Sequence, residues 1–296
     1  MTATVATSAP EEDGVYANIP DEVYHADRNS LSSSGARTLL WSSAAAFDEQ
    51  QRTPRAPTAA YDQGHLVHLM VLGEGARIEV LDPAVHGLKA DGTPSDKPTS
   101  TAMWKQAEAE VRERGAIPIT PAEYAEAKRM ADQVFKHPLA RNVLSRGDAE
   151  VSGYWTDPDT GVRLRWRADW LHPGRTRLII VDYKTTKSAR PSSFHRSCGD
   201  YGYHQQEAWY RDGAIANDLD PDPLFIFIAQ EKTPPYLVSV HESHPDDIAR
   251  ARALNRKAID LYAECRRTGI WPGYGDGIHT IDIPAYQRIR EEALLK

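Results

Sequence analysis

Two cysteines, Cys198 and Cys265, are all that 296 residues contain. That is too few for a disulfide framework, a four-cysteine zinc site or a cysteine-ligated iron–sulfur cluster. No apolar run approaches the ~18 residues of a membrane span. The opening MTATVATSAPEEDG has no basic stretch followed by an apolar one, so a cytoplasmic protein without membrane association is expected. A Gly-x-x-x-x-Gly-Lys-Ser/Thr phosphate loop is missing, which disfavours ATP-driven chemistry. His204, His241, Glu242 and His244 lack metalloprotease spacing, and no Ser/His/Asp order stands out. Positive charge is short too. With 35 Lys+Arg against 42 Asp+Glu the formal net charge is -7, a poor balance for a non-specific DNA coat.

What is present is the composition of a folded chain, 41% hydrophobic and 26% charged, long enough for one enlarged core or two small ones. Without an internal repeat or a splitting linker, the expectation is a flexible tail at 1–13 and a single domain over 14–296. The serines of LSSSGARTLLWSSAAAF precede Leu39, Leu40, Ala44 and Phe47, which predicts one capped helix over 31–47. Capping is the commoner use of such serines. The free N–H groups of a helix start also suit a phosphate, making Ser33, Ser34 and Arg37 candidate DNA contacts. Residues 64–72, GHLVHLMVL, read as a short buried helix carrying His68. Residues 82–100 are rich in Pro, Gly, Asp and Ser and read as a long loop. Helices follow at about 101–114 and 121–136, the second capped by Thr120-Pro121.

From about 150 the hydrophobic period becomes two. Residues 150–156 and 162–171 alternate around Asp157-Pro158-Asp159-Thr160-Gly161, a hairpin pattern, and 178–185 is a third strand. A helix at 201–216, strands at 224–230 and 236–241, and a helix at 246–267 complete an α/β (α+β) reading: a central mixed β-sheet flanked by helices.

Charge is concentrated where the chemistry is expected. Residues 161–190 hold eight basic side chains and two acids, a local +6. On the strand beginning at Arg163, a side-chain period of two puts Arg163, Arg165, Arg167 and Asp169 on one face, and Leu164, Trp166, Ala168 and Trp170 on the other. Three arginines leading to a carboxylate make a phosphate track ending at a metal ligand; the bland alternative is a face of internal ion pairs. The next strand, Leu178-Ile179-Ile180-Val181, ends in Asp182-Tyr183-Lys184, with Asp182 and Lys184 one pleat apart on a shared face. There a hard divalent cation would find carboxylate oxygen, and an ammonium could stabilise charge on a phosphodiester.

Asp169 followed by Asp182-Tyr183-Lys184 resembles the PD-(D/E)XK nuclease core, with a restriction-endonuclease-like fold. Gly64-x-x-x-His68 upstream and Gln206-x-x-x-Tyr210 downstream are similar to the RecB-type branch. The segments LSSSGARTLL, GHLVHLMVL, YWTDPDTGVRLRWRADWL, VDYKTT and YHQQEAWYRDG resemble the RecE, or exodeoxyribonuclease VIII, group of phage and prophage enzymes, over roughly 20–265. The resemblance implies His68, Asp169, Asp182 and the carbonyl of Tyr183 as metal ligands, and Lys184 as the catalytic lysine. Gln206 and Tyr210, one helical turn apart, would contact DNA or brace that lysine. It further implies Mg2+, with Mn2+ as substitute; relatives in this branch that carry an iron–sulfur cluster hold it by cysteines, and with two cysteines and no phosphate loop neither such a cluster nor ATP is expected here. The implied activity is 5′–3′ exonuclease digestion of double-stranded DNA from its ends, leaving 3′ single strands for a RecT-like annealing protein. A homo-oligomer is expected, a tetramer before a trimer. A structure- or sequence-specific endonuclease, or a non-catalytic DNA-end binder, are the alternatives on the same core.

Overall fold

The computed structural model describes residues 7–17, 19–53, 59–73 and 77–295. An N-terminal layer comprises β1 (Gly14–Tyr16), α1 (Asp21–Ala26) and β2 (Ser30–Ser32). Three helices follow, α2 (Ser33–Trp41), α3 (Ala44–Arg52) and α4 (Ala59–Leu72). A small parallel pair, β3 (Ile78–Val80) and β4 (Ile117–Ile119), encloses α5 (Pro83–His86) and α6 (Ala102–Glu113). Next come α7 (Pro121–Lys136), α8 (Pro138–Leu144) and the strands β5 (Asp148–Thr156), β6 (Arg163–Pro173) and β7 (Leu178–Thr186). Helices α9 (Pro191–Tyr201) and α10 (Tyr203–Ala216) lead to β8 (Leu224–Glu231) and β9 (Val238–His241). The elements α11 (Pro245–Thr268) and α12 (Ala285–Leu294) come last.

The main sheet runs β1-β5-β6-β7-β8-β9, with β2 added beside β6. The β2–β6 and β7–β8 pairs are parallel and the others antiparallel, so the sheet is mixed, as its alternating pattern predicts. Hydrophobic cores lie on both of its faces. Leu164, Trp166, Phe225, Phe227 and Trp209 of α10 belong to one; Val181, Ile226 and Ile228 meet Leu66 of α4 and Met130 of α7 in the other. Strand β8, LFIFIAQE, reads as a continuous apolar run because both of its faces are covered.

Trp166 governs how α10 meets this sheet. A Cβ on Gly153 would lie 2.1 Å from its Nε1, and one on Gly213 would lie 2.4 Å from its Cδ1, so both neighbours must lack one. The indole N–H donates to Asn217 Oδ1 at 3.0 Å, and the Trp209 indole donates to the Arg165 carbonyl at 2.9 Å. Helix α10 is thereby locked against β6, which fixes where Gln206 and Tyr210 stand.

Several local expectations are corrected. The helix expected over 31–47 is β2, α2 and α3 in succession. Ser42 leaves helical geometry (φ -116°, ψ -92°), and the Ser43 hydroxyl caps α3 by accepting from Ala46 N–H at 3.0 Å. The 82–100 loop includes α5 and a 3-10 turn at Pro98–Ser100. Of the expected flexible tail, 1–6 lie outside the described residues, whereas residues 11–13 are tied to the sheet. Asp13 accepts from Thr156 N–H at 2.7 Å, and the carbonyls of Glu11 and Glu12 accept from the Arg163 guanidinium. Capping by Thr120 stands, with Glu123 closing a reciprocal box. Among the described residues, no helix is long and apolar enough to cross a membrane.

Candidate active site

The β6–β7 register sets the site. Trp170 pairs with Val181, so the preceding and following positions, Asp169 and Asp182, stand side by side on neighbouring strands. Asp169 Oδ2 accepts the Tyr183 N–H at 2.7 Å. Asp182, 1% exposed, is held twice: its Oδ2 lies 2.7 Å from Lys184 Nζ, and its Oδ1 accepts from Gln206 Nε2 at 2.6 Å. Tyr210 hydrogen-bonds Gln206 in turn, while its ring packs on Phe225 and Trp166. The chain Tyr210–Gln206–Asp182–Lys184 therefore joins the residues of β7 that strand spacing marked to the residues of α10 that the family resemblance marked.

Helix α4 brings His68 to the same sheet, its Nδ1 4.0 Å from Asp169 Oδ2 and its ring edge-on to Tyr183 at 5.1 Å. Burial, reinforced by the Lys184 charge, pulls this imidazole down to about 4, so it is neutral and free to ligate at neutral pH. Burial and repulsion from Asp182 push the Asp169 carboxyl well above the usual range. Burial alone would lower Lys184, but the charges of Asp182 and Asp169 outweigh it and keep the ammonium protonated. The Tyr183 side chain is buried away with its hydroxyl on Gln230, leaving only its backbone at the site.

Sequence reasoning missed one participant. Glu150, on β5 in left-handed geometry (φ 51°), falls with Asp169 in the gap of the ladder between the Ala149–Trp170 and Val151–Ala168 pairs. His68, Glu150 and Asp169 each offer a ligand atom, all within 4.8 Å of one another. Two carboxylates this close repel each other, and a divalent cation converts that repulsion into coordination. One neutral imidazole and two carboxylates fit such a cation. Counting from the hairpin turn could have found Glu150, because Thr156 pairs with Arg163 and the count reaches Glu150 and Asp169 six positions further on, where the ladder is interrupted. Asp182 falls outside this triad and is engaged with Lys184 and Gln206.

Beside the site lies a recess of about 260 Å³, whose lining includes Arg28, Ser33, Ser34, Arg37, Gln206 and Tyr210. The Ser33 hydroxyl is buried there without a hydrogen-bond partner. Ser32 caps α2 by accepting from Gly35 N–H, so capping and an open helix start coexist within one serine run.

The expected phosphate track along β6 is not formed. The Arg165 guanidinium donates to Ser30 O at 2.5 Å and Ser30 Oγ at 2.8 Å, with Asp27 Oδ2 at 3.3 Å. Arg167 bonds Ser152 Oγ at 2.8 Å, Asp21 Oδ1 at 2.6 Å and Ile19 O at 2.8 Å. Arg163 pairs with Asp13 at 3.5 Å. The N-terminal layer covers this face and neutralises three charges of the basic island with Asp13, Asp21 and Asp27. The strand period holds from Arg163 to Ala168 and breaks at Asp169: Leu164, Trp166 and Ala168 share one core, whereas Trp170 packs against the other. The assumption that its charged face meets solvent was wrong.

A mixed sheet flanked by helices, with Asp169 and Asp182-x-Lys184 on adjacent strands, defines a nuclease of the PD-(D/E)XK class. The family described as "PDDEXK-like domain of unknown function (DUF3799)" matches residues 32–283, and the chain belongs to it. Among solved structures, a candidate exonuclease from Eubacterium rectale is similar with 13% identity and a TM-score of 0.60, over 90% of this chain and 96% of that one. An alkaline exonuclease from Laribacter hongkongensis matches with 15% identity and a TM-score of 0.25, over 78% and 98%. The first shares the fold. No curated protein sequence matches the chain. The family match and the shared fold agree with the PD-(D/E)XK core that the motifs resemble.

Proposed function

We propose that the protein is an ATP-independent 5′–3′ exodeoxyribonuclease that digests double-stranded DNA from its ends and leaves 3′ single strands for recombination. The observation that carries this reading is the buried Lys184–Asp182–Gln206 network set beside the His68, Glu150 and Asp169 donor cluster. Bound by that cluster, Mg2+, or Mn2+ in its place, would act as a Lewis acid on the phosphodiester and lower the pKa of the attacking water. The Tyr183 carbonyl is a further candidate ligand. Lys184, kept as an ammonium, faces the region where negative charge grows on the phosphoryl oxygens and stabilises it there. Asp182 fixes the position of that ammonium, Gln206 fixes Asp182, and Tyr210 restrains Gln206.

The recess supports digestion from a 5′ end. Ser33, with its unpartnered buried hydroxyl, sits with Ser34 at the start of α2, and Arg37 adds positive charge, a combination suited to a terminal phosphate. Gln206 lines this recess and bonds Asp182, so a 5′-phosphate seated there is one side chain from the reacting groups. A homo-oligomer, tetramer before trimer, is the proposed assembly, with a RecT-like annealing protein as partner. Exposed apolar residues near the C-terminal end, Ile278, Ile281, Ile289 and Leu294, support an interaction surface beyond one copy.

The test is a linear duplex labelled at one 5′ and one 3′ end, with or without a 5′-phosphate, beside a covalently closed circle, in Mg2+ or EDTA. Release of the 5′ label from the linear substrate alone, in Mg2+ alone, and faster with the phosphate, is the expected result. Cleavage of the circle, or first release of the 3′ label, overturns the assignment.

A further inference from the structure

An aromatic stack leads outward from the catalytic lysine and stops half finished. Lys184 Nζ lies 5.2 Å from the centroid of the Tyr203 ring. Tyr203 packs inward on Phe194 and Phe227, at 5.9 and 5.7 Å, which makes it a rigid support. On it stacks Tyr201, with centroids 5.6 Å apart and planes inclined by 28°. Tyr201 is nevertheless 64% exposed.

Gly202 makes the arrangement possible. It ends α9 and begins α10 in left-handed geometry (φ 65°), a turn that swings both tyrosines to one side. Its carbonyl accepts from the Arg37 guanidinium at 3.3 Å, and a Cβ there would meet Arg37 Cδ at 2.9 Å. The turn is thus fastened to a residue of the recess. Trp41 stands near the same turn, its indole N–H donating to Gln205 Oε1 at 2.7 Å, and it is 67% exposed. Two large aromatics thus present open faces to solvent at a turn that Arg37 fastens to the recess, where a planar group can cover them.

We propose that Tyr201, backed by Tyr203, is a stacking platform for a nucleobase of the bound DNA strand and sets the strand's register relative to the scissile phosphate. This deepens the nuclease reading, on which it rests for its substrate. The two legs of the stack place Tyr201 no more than about 11 Å from the lysine ammonium. A base stacked on it lies about 3.5 Å further out, so at about 3.4 Å of rise per nucleotide it falls within roughly four nucleotides of the bond being cut. Stacking uses the face of a base and not its edge, so the platform tolerates any sequence, as digestion of arbitrary DNA requires. Tyr201 is a positioning residue: it touches the substrate away from the reacting atoms.

The test places 2-aminopurine, whose fluorescence is quenched by stacking, at each of the first four nucleotides from the 5′-phosphorylated end of a duplex. Binding is read in Ca2+ and cleavage in Mg2+. Wild-type protein is expected to quench one position selectively. Tyr201→Phe keeps the quenching; Tyr201→Ala and Tyr201→Leu lose it and raise KM about ten-fold, with kcat changed less than about three-fold. Leucine separates stacking from mere apolar cover, and unchanged thermal unfolding of all three variants excludes a folding effect. Retained quenching in Tyr201→Ala, or equal quenching at every position, overturns the platform. Quenching by a wild-type protein that cuts nothing keeps the platform and removes the nuclease reading; cutting without quenching does the reverse.

Discussion

Replacing Arg167 with alanine is expected to unfold the protein more readily while leaving its electrostatic grip on DNA unchanged. The guanidinium is buried and makes three hydrogen bonds, to Ser152 Oγ, Asp21 Oδ1 and Ile19 O, while its planar group lies 4.1 Å from the Tyr24 ring centroid. Removing it leaves the fully buried Ser152 hydroxyl and the Ile19 carbonyl without this donor. Each such loss costs about 1–3 kcal/mol. The Asp21 carboxylate is 39% exposed and recovers water, so its share is small, about 0–1 kcal/mol. These losses sum to about 2–7 kcal/mol, with the contact to Tyr24 lost besides, a large part of the stability of an ordinary domain. Urea unfolding measures it as a lower midpoint at constant slope. DNA affinity measured across a salt series on the folded variant should keep its wild-type slope, since no phosphate contact is lost. A destabilisation below about 1 kcal/mol, together with a salt slope reduced by about one unit, would show that Arg167 faces DNA and that the N-terminal cover opens.

Other changes probe the site and its support. Asp182→Asn and Lys184→Ala should each lower turnover at least ~100-fold with little change in thermal unfolding, as a stopped-time digestion assay would register. Glu150→Gln should raise the Mg2+ concentration giving half-maximal activity about ten-fold, and an unchanged metal titration would remove Glu150 from the ligand set. Added Mn2+ should raise the melting temperature of the wild type, with EDTA reversing the gain, and the shift should shrink in Glu150→Gln. Gly213→Ala should cost about 1–3 kcal/mol by crowding Trp166, visible in urea unfolding; a neutral effect would mean that α10 is not seated on that indole.

The sequence by itself determined the strands and the mixed sheet, because these rest on local periodicity, and periodicity together with the family resemblance marked much of the candidate site. A period of two places Asp182 and Lys184 together whatever surrounds them, and the apolar run before them marks a strand entering a core. Gln206 and Tyr210 share a helix face for the same local reason. Tertiary structure decided what each charged face meets. Arg163, Arg165 and Arg167 have the alternation of a solvent-facing track, yet their partners are Asp13, Asp21 and Asp27, more than a hundred residues earlier. No pattern within a strand reports that a distant segment will cover it, since covering is a long-range packing event. Glu150 was hidden for a related reason: its value comes from its closeness to Asp169 once the hairpin closes. Tyr201 reads as an ordinary helix-end residue until Gly202 turns the chain and stacks it on Tyr203, the ring that faces Lys184. Local chemistry is written in the spacing of residues. The company each residue keeps is set by the register and closure of the whole fold.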